Sequence, residues 1–426
     1  GFLYMKVLLI SANTERINVT PLPLGLACVT AATRRAGHDV PLLDLMTQED
    51  PQSRIREAIE TSSPGVIGIS VRNIDDQIRC GGRFLLEEVR RVVHCCRDFS
   101  RAPLVLGGAG YSIFPESVLA YLGADMGIRG EGETAFPALI DRLARHADPS
   151  DVPGLHLPGR GRRVEMTCTR NLDSLPLSGA LEFLTSRDDG LWLPFQTRRG
   201  CPMGCSYCST AAIEGRRIRK RSPASAVDEL ARCAAAGFRH VYFVDNTFNL
   251  PRGYAKALCR AILARGLKIR WRAIVYPGGI DEELAALMAE AGCAEASLGF
   301  ESGSARMLRS LNKRFSPEQV RRTSGLLARH GIRQMGFLLL GGPGETRDSV
   351  IESLRFADSL PLAQLKITSG IRIYPGTPLA ETAVAEGVIA PEDDLLRPRF
   401  YIARGLEDRL SELVGKWMQE RPTWMG

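Results

Sequence analysis

What most limits how this chain can fold is a repeated alternation of short apolar runs with amphipathic, helix-period stretches. In the first 146 residues, runs at 6–10, 40–44, 66–70, 104–106 and 125–128 read as buried strands. Helical stretches lie between them, around 24–36, 52–61, 76–97 and 115–122, and a last one follows from about 134. Strands apolar on both faces and joined by helical crossovers make a parallel, doubly wound sheet. A second series begins near 193, with strands expected near 193–197, 240–244, 269–274, 295–300, 333–340 and 365–374. Its helices are expected near 224–236, 252–265, 281–291, 317–330 and 347–359. Six strand–helix units are two short of a closed eight-stranded barrel. The predicted fold class is therefore α/β: an N-terminal doubly wound Rossmann-like parallel sheet plus a C-terminal partial (β/α)6 barrel. The expected boundaries are 5–146 for the first domain, 147–190 for a Pro-, Gly-, Arg- and Asp-rich linker that adds a small hairpin, 191–376 for the barrel and 377–426 for a C-terminal extension.

Composition narrows the class. With 426 residues, 44% hydrophobic and 24% charged, the chain is long enough for two or three domains of about 150 residues and has the balance of a soluble globular protein. Disorder, collagen and a small disulfide scaffold are excluded. No apolar run approaches the roughly 18 residues that span a bilayer, and Gly1–Tyr4 before Met5 is too short for a signal peptide, so a cytoplasmic protein is expected. The formal charge is +7, yet only seven of the 55 basic residues are Lys and the Arg are scattered. That pattern gives no phosphate-binding face, and no nucleic-acid partner is expected.

In open parallel sheets, ligands sit outside the carboxyl ends of the strands, where the strand order reverses. In the first half those ends carry Ser11-Ala12-Asn13, Ser70-Val71-Arg72, Gly107-Gly108-Ala109-Gly110 and Gly130-Glu131-Gly132-Glu133. Turn geometry alone accounts for any one of these glycines. Four polar or glycine-rich loops at equivalent ends together point to a ligand site.

Eleven cysteines without a secretory signal point to reduced thiols, metal binding or catalysis. Cys28, Cys80, Cys168, Cys233, Cys259 and Cys293 stand alone and read as small core residues, and Cys95-Cys96 is a vicinal pair. Cys201, Cys205 and Cys208 form the one tight cluster, in Arg199-Gly200-Cys201-Pro202-Met203-Gly204-Cys205-Ser206-Tyr207-Cys208 after the first barrel strand. A structural zinc site wants four ligands, and no fourth Cys or His lies at zinc-finger spacing. Three thiolates suit a [4Fe–4S] cluster with one iron left open. Gly200 and Gly204 let the loop wrap closely, and Tyr207 sets an aromatic ring beside it.

This Cys-x3-Cys-x2-Cys loop resembles the signature of the radical SAM superfamily, and the resemblance continues along the second half. It implies that Cys201, Cys205 and Cys208 ligate a [4Fe–4S] cluster whose open iron binds S-adenosylmethionine (SAM), and that an electron donor such as flavodoxin or ferredoxin serves it. Val244-Asp245-Asn246-Thr247-Phe248 falls where the family places polar SAM contacts, which makes Asn246 a candidate. Leu298-Gly299-Phe300-Glu301-Ser302-Gly303 resembles the segment associated with the ribose hydroxyls, so Glu301 and Ser302 are candidate cofactor-binding residues, with Tyr207 beside the cluster. Leu340-Gly341-Gly342-Pro343-Gly344-Glu345-Thr346 resembles the turn near the adenine, although a helix start capped at Thr346 or Glu345 explains it equally well. The first half is similar to the cobalamin-binding domain fused to many such enzymes, through Pro21-Leu22-Pro23-Leu24-Gly25-Leu26-Ala27, the Gly107-Gly108 turn and Arg129-Gly130-Glu131-Gly132-Glu133. Tyr374-Pro375-Gly376-Thr377-Pro378 is frequent in the same subgroup. Gly107 and Gly108 are thus candidate cobalamin-binding residues. The Asp-x-His-x-x-Gly motif that supplies a cobalt ligand elsewhere is absent, the stretch reading Ser70-Val71-Arg72-Asn73-Ile74-Asp75, so no cobalt ligand is named.

The resemblance implies alkyl transfer from SAM to a small molecule of secondary metabolism, foremost a cobalamin-dependent methyl transfer. Transfer of the 3-amino-3-carboxypropyl group to a small acceptor such as arsenite, without cobalamin, is the first alternative, and a radical cyclisation or rearrangement the next. A non-catalytic metal or cobalamin carrier is the rival from another class. The arsenite alternative draws on the vicinal Cys95-Cys96, on a short C-terminal region and on Trp271-Arg272-Ala273-Ile274-Val275-Tyr276-Pro277, which departs from the family's Arg-x-Asp segment while leaving Arg272 as a carboxylate anchor. The run Arg216-Arg217-Ile218-Arg219-Lys220-Arg221 reads either as a solvated turn or as an anion anchor through Arg219 or Arg221. No catalytic side chain is legible, and neither is the substrate.

Overall fold

A computed structural model describes residues 4–14, 22–159, 165–175 and 192–425. Two compact units are present: residues 1–77, 82–191 and 212–215 form the first, and 78–81, 192–211 and 216–426 the second. Pro21 and, within the expected linker, 160–164 and 176–190 lie outside the described residues.

The first unit is built on six strands: β1 (Val7–Ser11), β2 (Leu42–Asp44), β3 (Val66–Ser70), β4 (Leu104–Gly107), β5 (Met126–Ile128) and β6 (Leu155–His156). Their order is β2-β1-β3-β4-β5-β6. The first five run parallel, and β6 joins β5 antiparallel through Gly127 and His156. The chain leaves β1 for β2 on one side and returns to β3 on the other, so strand order reverses between β1 and β3. Every residue of β1 is buried, as both-face coverage requires. Phe136, Leu139 and Ile140 of the helix Gly132–Ala144 close one face. The helix expected over 76–97 begins only at Leu86 and runs to Phe99. Gln77 (φ 59°) and Gly81 (φ 75°) are left-handed, and the Asp76 carboxylate accepts from Arg83 N at 2.8 Å. These local bonds hold 76–83 in a turn that cannot continue a right-handed helix.

The second unit begins with β7 (Leu193–Phe195), followed by a small antiparallel pair, β8 (Arg198–Arg199) and β9 (Arg219–Lys220). Then come β10 (His240–Phe243), β11 (Arg270–Val275), β12 (Cys293–Glu301), β13 (Arg333–Leu340) and β14 (Gln364–Ser369). β7 and β10–β14 lie side by side in chain order and all parallel, which is the open (β/α)6 arrangement. The expected strand over 365–374 stops at Ser369, because Gly370 (φ 88°) turns the backbone. Ile371–Arg372 then forms β15 and pairs antiparallel with β16 (Phe400–Tyr401). A last short strand, β17 (Trp424–Met425), extends the β14 edge. The C-terminal segment holds the helices Pro378–Ala385 and Arg409–Gln419. Among the described residues, no helix is long and apolar enough to cross a membrane.

Candidate functional site

The three-cysteine loop leaves the carboxyl end of β7 through a buried charge network. Asp245, fully buried two residues past β10, accepts from Thr197 N at 2.7 Å, Thr197 Oγ1 at 2.6 Å and Arg198 N at 2.8 Å. It also pairs with the buried Arg198 guanidinium at 3.2 Å. Arg198 in turn donates to the carbonyls of Phe248 and Leu250 and lies over the rings of Phe248 and Tyr254. An ion pair at this depth is stable only because nearly every donor and acceptor is used. Asp245 thus clamps the foot of the loop instead of facing the cleft.

Beyond the foot, Gly200 (φ 88°) and Gly204 (φ 67°) adopt the left-handed backbone that lets the loop curl, as the sequence suggested. A turn at 311–314 grips the loop from the next element. Ser206 N donates to Leu311 O at 3.1 Å, and Asn312 Nδ2 donates to Gly204 O at 2.6 Å. On the other side, Leu379 N donates to Ser206 O at 2.9 Å. Cys201, Cys205 and Cys208 are all free thiols of intermediate exposure. Burial pushes the Cys201 and Cys205 thiols up, and each feels the charge of its neighbours in the loop. Cys208 Sγ lies 3.2 Å from Thr210 Oγ1. Among the described residues, no three Cys, His, Asp or Glu side chains converge on a single metal ion.

Glu301 ends β12 in a left-handed conformation (φ 61°), at a register shift against β13. A bulky residue holds such a backbone only where its surroundings enforce it. Here the enforcement is a buried pair: Lys313 Nζ lies 3.2 Å from Glu301 Oε1, and the two side chains are 6% and 13% exposed. Tyr207 Oη donates to the same oxygen at 3.0 Å, and the Lys313 ammonium stands 5.2 Å from the centre of the Tyr207 ring. The Lys313 charge also acts on Cys205, opposing the effect of burial on that thiol. Burial alone would lower the Lys313 pKa, but Glu301, Tyr207 and Cys205 outweigh it and hold the group well above its ordinary range. Burial and then Glu301 push Tyr207 far up, so it remains a donor. Both bonds to Glu301 fall on Oε1, which leaves Oε2 for a guest.

The other predicted contacts divide. Asn246 stands half-buried at the rim, three residues after β10. Ser302 is fully buried, its hydroxyl 2.8 Å from Ser353 Oγ and accepting from Ser304 N at 3.1 Å. It fastens the loop to the helix Arg347–Asp358 and, against expectation, offers nothing to the cleft. Glu345, 3% exposed, accepts from Gly341 N and Gly342 N on one oxygen, while its other oxygen is buried without a partner. Burial raises its carboxyl to about 7. Thr346 caps the following helix through Ser349 N at 3.3 Å, so the glycine turn and the helix start coexist. Arg272 lies three residues before the end of β11, about 10 Å below the rim at roughly 3.3 Å per residue. Its guanidinium is flanked by the rings of Trp192 and Tyr242 at 4.7 and 4.5 Å. Arg219 and Arg221 are buried, whereas Arg216, Arg217 and Lys220 are exposed.

In the first unit, the reversal between β1 and β3 leaves a small cleft whose lining includes Asn13, Thr14, Arg72, Asn73 and Glu88 beside Ala12, Leu85 and Val89. Thr14 Oγ1 donates to Glu88 at 2.5 Å. Gly108 (φ 101°) follows β4, where a Cβ would stand 2.5 Å from Val71 O. Only glycine lets these two strand ends close up. The amide, hydroxyl and guanidinium groups of this lining suit the amide-rich edge of a corrin, and no histidine is among them. Cys95 (6% exposed) and Cys96 (0%) lie on the helix Leu86–Phe99, and burial drives Cys96 to about 12. Successive helical side chains diverge by about 100°, so the pair cannot chelate one arsenic as the sequence had allowed.

Residues 10–140 match the B12 binding domain and residues 196–357 the Radical SAM superfamily. An uncharacterized methyltransferase of Pyrococcus horikoshii is 28% identical over 90% of this chain and 84% of its own. The tryptophan 2-C-methyltransferase of Streptomyces laurentii is 25% identical over 87% of this chain and 73% of its own. Among solved structures, the radical SAM methyltransferase TsrM of Kitasatospora setae, determined with cobalamin and a [4Fe–4S] cluster bound, superposes with a TM-score of 0.86 at 24% identity, covering 99% of this chain and 92% of its own. With both halves matched in order, the chain is a radical SAM protein that carries an N-terminal B12 binding domain.

Proposed function

We propose that this protein is a cobalamin-dependent radical SAM methyltransferase acting on a small molecule of secondary metabolism. The observation that carries the reading is the pairing, in one chain, of a braced three-thiol loop at a barrel rim with a polar cleft at the switch point of a B12 binding domain. Relatives named methyltransferases align with most of the chain.

Cys201, Cys205 and Cys208 would hold a [4Fe–4S] cluster, and the cleft between β1 and β3, with Gly107 and Gly108 beside it, would hold cobalamin. When bound, the cluster supplies electrons and one open iron for SAM, and cobalamin supplies a carrier for the methyl group. The chain's own part is positioning. Glu301 Oε2 would accept from a ribose hydroxyl, Asn246 would contribute at the same rim, and Tyr207 and Lys313 hold the Glu301 carboxylate in place. Flavodoxin or ferredoxin fits as the electron donor, as in the superfamily that the chain belongs to. Transfer of the aminocarboxypropyl group to arsenite loses its motivation with Cys96 fully buried and Cys95 pointing away from it.

Anaerobically reconstituted protein, loaded with hydroxocobalamin, reduced and mixed with SAM and candidate substrates, tests the reading. S-adenosylhomocysteine together with a methylated product is the expected outcome. Methylthioadenosine would show aminocarboxypropyl transfer instead, and no SAM-derived product under any condition would overturn an enzymatic role.

A further inference from the structure

We infer that Lys313 is a positioning and charge-tuning residue of the three-cysteine centre, its ammonium set between Glu301 and the Tyr207 ring of the cysteine loop and making the centre easier to reduce. The inference rests on the cluster reading above and goes beyond it, because it assigns a role to a side chain outside the cysteine motif.

Three independent features place Lys313. The turn that carries it is fixed on every side: Lys313 N donates to Leu308 O at 2.8 Å, Asn312 takes the left-handed conformation (φ 55°), and Arg314 N donates to Tyr276 Oη at 3.0 Å. Tyr276 is itself held, with Asn249 Oδ1 accepting from its amide at 2.8 Å and Asn249 Nδ2 donating to its carbonyl at 2.9 Å, and with the Phe315 ring edge-on at 5.1 Å. The departure at Val275-Tyr276-Pro277 therefore acts as the brace of the Lys313 turn. Second, the ammonium is nearly excluded from water, paired with one carboxylate and set beside the face of Tyr207, which stands between Cys205 and Cys208 in the loop. Third, a buried lysine is costly to keep, and at this position it stands beside a loop whose sulfurs become anionic on metal binding. The same turn also supplies the bonds that grip the cysteine loop, from Leu311 and Asn312.

The electrostatics have a definite sign. Reduction adds one electron, and hence negative charge, to the centre. A fixed cation beside the ligand loop favours the reduced form and raises the potential, since burial leaves little solvent to screen it. Glu301 works against this, both by its own charge and by sharing the ammonium.

The test is a redox titration of reconstituted protein without SAM, poised with mediator dyes and dithionite and read by electron paramagnetic resonance, alongside iron and sulfide content. Lys313→Met should shift the potential to more negative values with the cluster retained, Lys313→Arg should restore it toward wild type, and Glu301→Gln should shift it to more positive values. An unchanged potential in Lys313→Met at full iron content would overturn the inference. If Lys313→Met holds no cluster, Glu301→Gln decides, and an unchanged or lowered potential there is equally fatal. Wild-type protein that binds no iron would instead bring down the cluster reading itself, a failure visible before any variant is made.

Discussion

The carboxyl-end rims of the two sheets solve the same geometric problem with different materials. The rim of the first unit is shaped by backbone: Gly108 lets β4 close against Val71, and the side chains around the β1–β3 cleft mix Asn13, Thr14, Arg72, Asn73 and Glu88 with Ala12, Leu85 and Val89. The rim of the second unit is shaped by buried charge, with Asp245 on Arg198, Glu301 on Lys313, and Glu345 on two backbone amides. A ligand held over a broad surface tolerates small shifts, whereas a reacting bond must be met within fractions of an ångström. Costly buried ionic groups stand where that precision is wanted, and glycines where only room is needed.

The comparison can be broken first at the cysteines. Replacing Cys201, Cys205 or Cys208 with Ala should abolish the four-iron centre, read as loss of the broad absorbance near ~400 nm, while hydroxocobalamin binding persists. A retained four-iron cluster would refute the ligand assignment. Next comes the clamp. Asp245→Ala strands a buried guanidinium, and a cost of about 3–5 kcal/mol should appear in denaturant unfolding of the second unit, with cluster retention falling in step. A variant as stable as wild type would show that the buried charges are incidental.

Glu345 gives a pH test of the same rim. Its carboxyl is raised to about 7 in the folded state from an ordinary 4.5, so between those values the native state binds more protons than the unfolded chain. Stability should therefore be greatest near the lower value and decline as pH rises through about 7, by on the order of 3 kcal/mol. Glu345→Gln should flatten that slope, as measured by unfolding at a series of pH values. The smallest effect is expected at the glycine rim. Gly108→Ala forces a Cβ against Val71 O in a left-handed backbone, costing about 1–3 kcal/mol, and it should weaken cobalamin binding without altering the iron–sulfur spectrum. Loss of the cluster in this variant would collapse the distinction between the two rims.

Much of this was legible in the chain. Both parallel sheets follow from period and run length, and the cluster loop follows from three spacings. Those signals are local, and so is the physics behind them: burial on two faces, helical crossovers, and thiols within one loop. Ser302 and Asp245 show where such reading stops. Each sits in a segment resembling a cofactor contact, yet one hydroxyl turns to Ser353 and one carboxylate to Arg198, because strand register and helix packing bring those partners in from 51 and 47 residues away. Lys313 left hardly any trace beyond being one of seven lysines in an arginine-rich chain. Its meeting with Tyr207 and Glu301 depends on a turn about a hundred residues downstream of the cysteine loop. By itself the sequence determined two α/β units, the three thiols and the family that they belong to, since each is a matter of local pattern. Only the tertiary structure decided which polar groups face a guest and which brace the frame, because burial and pairing are settled by the packing of distant segments.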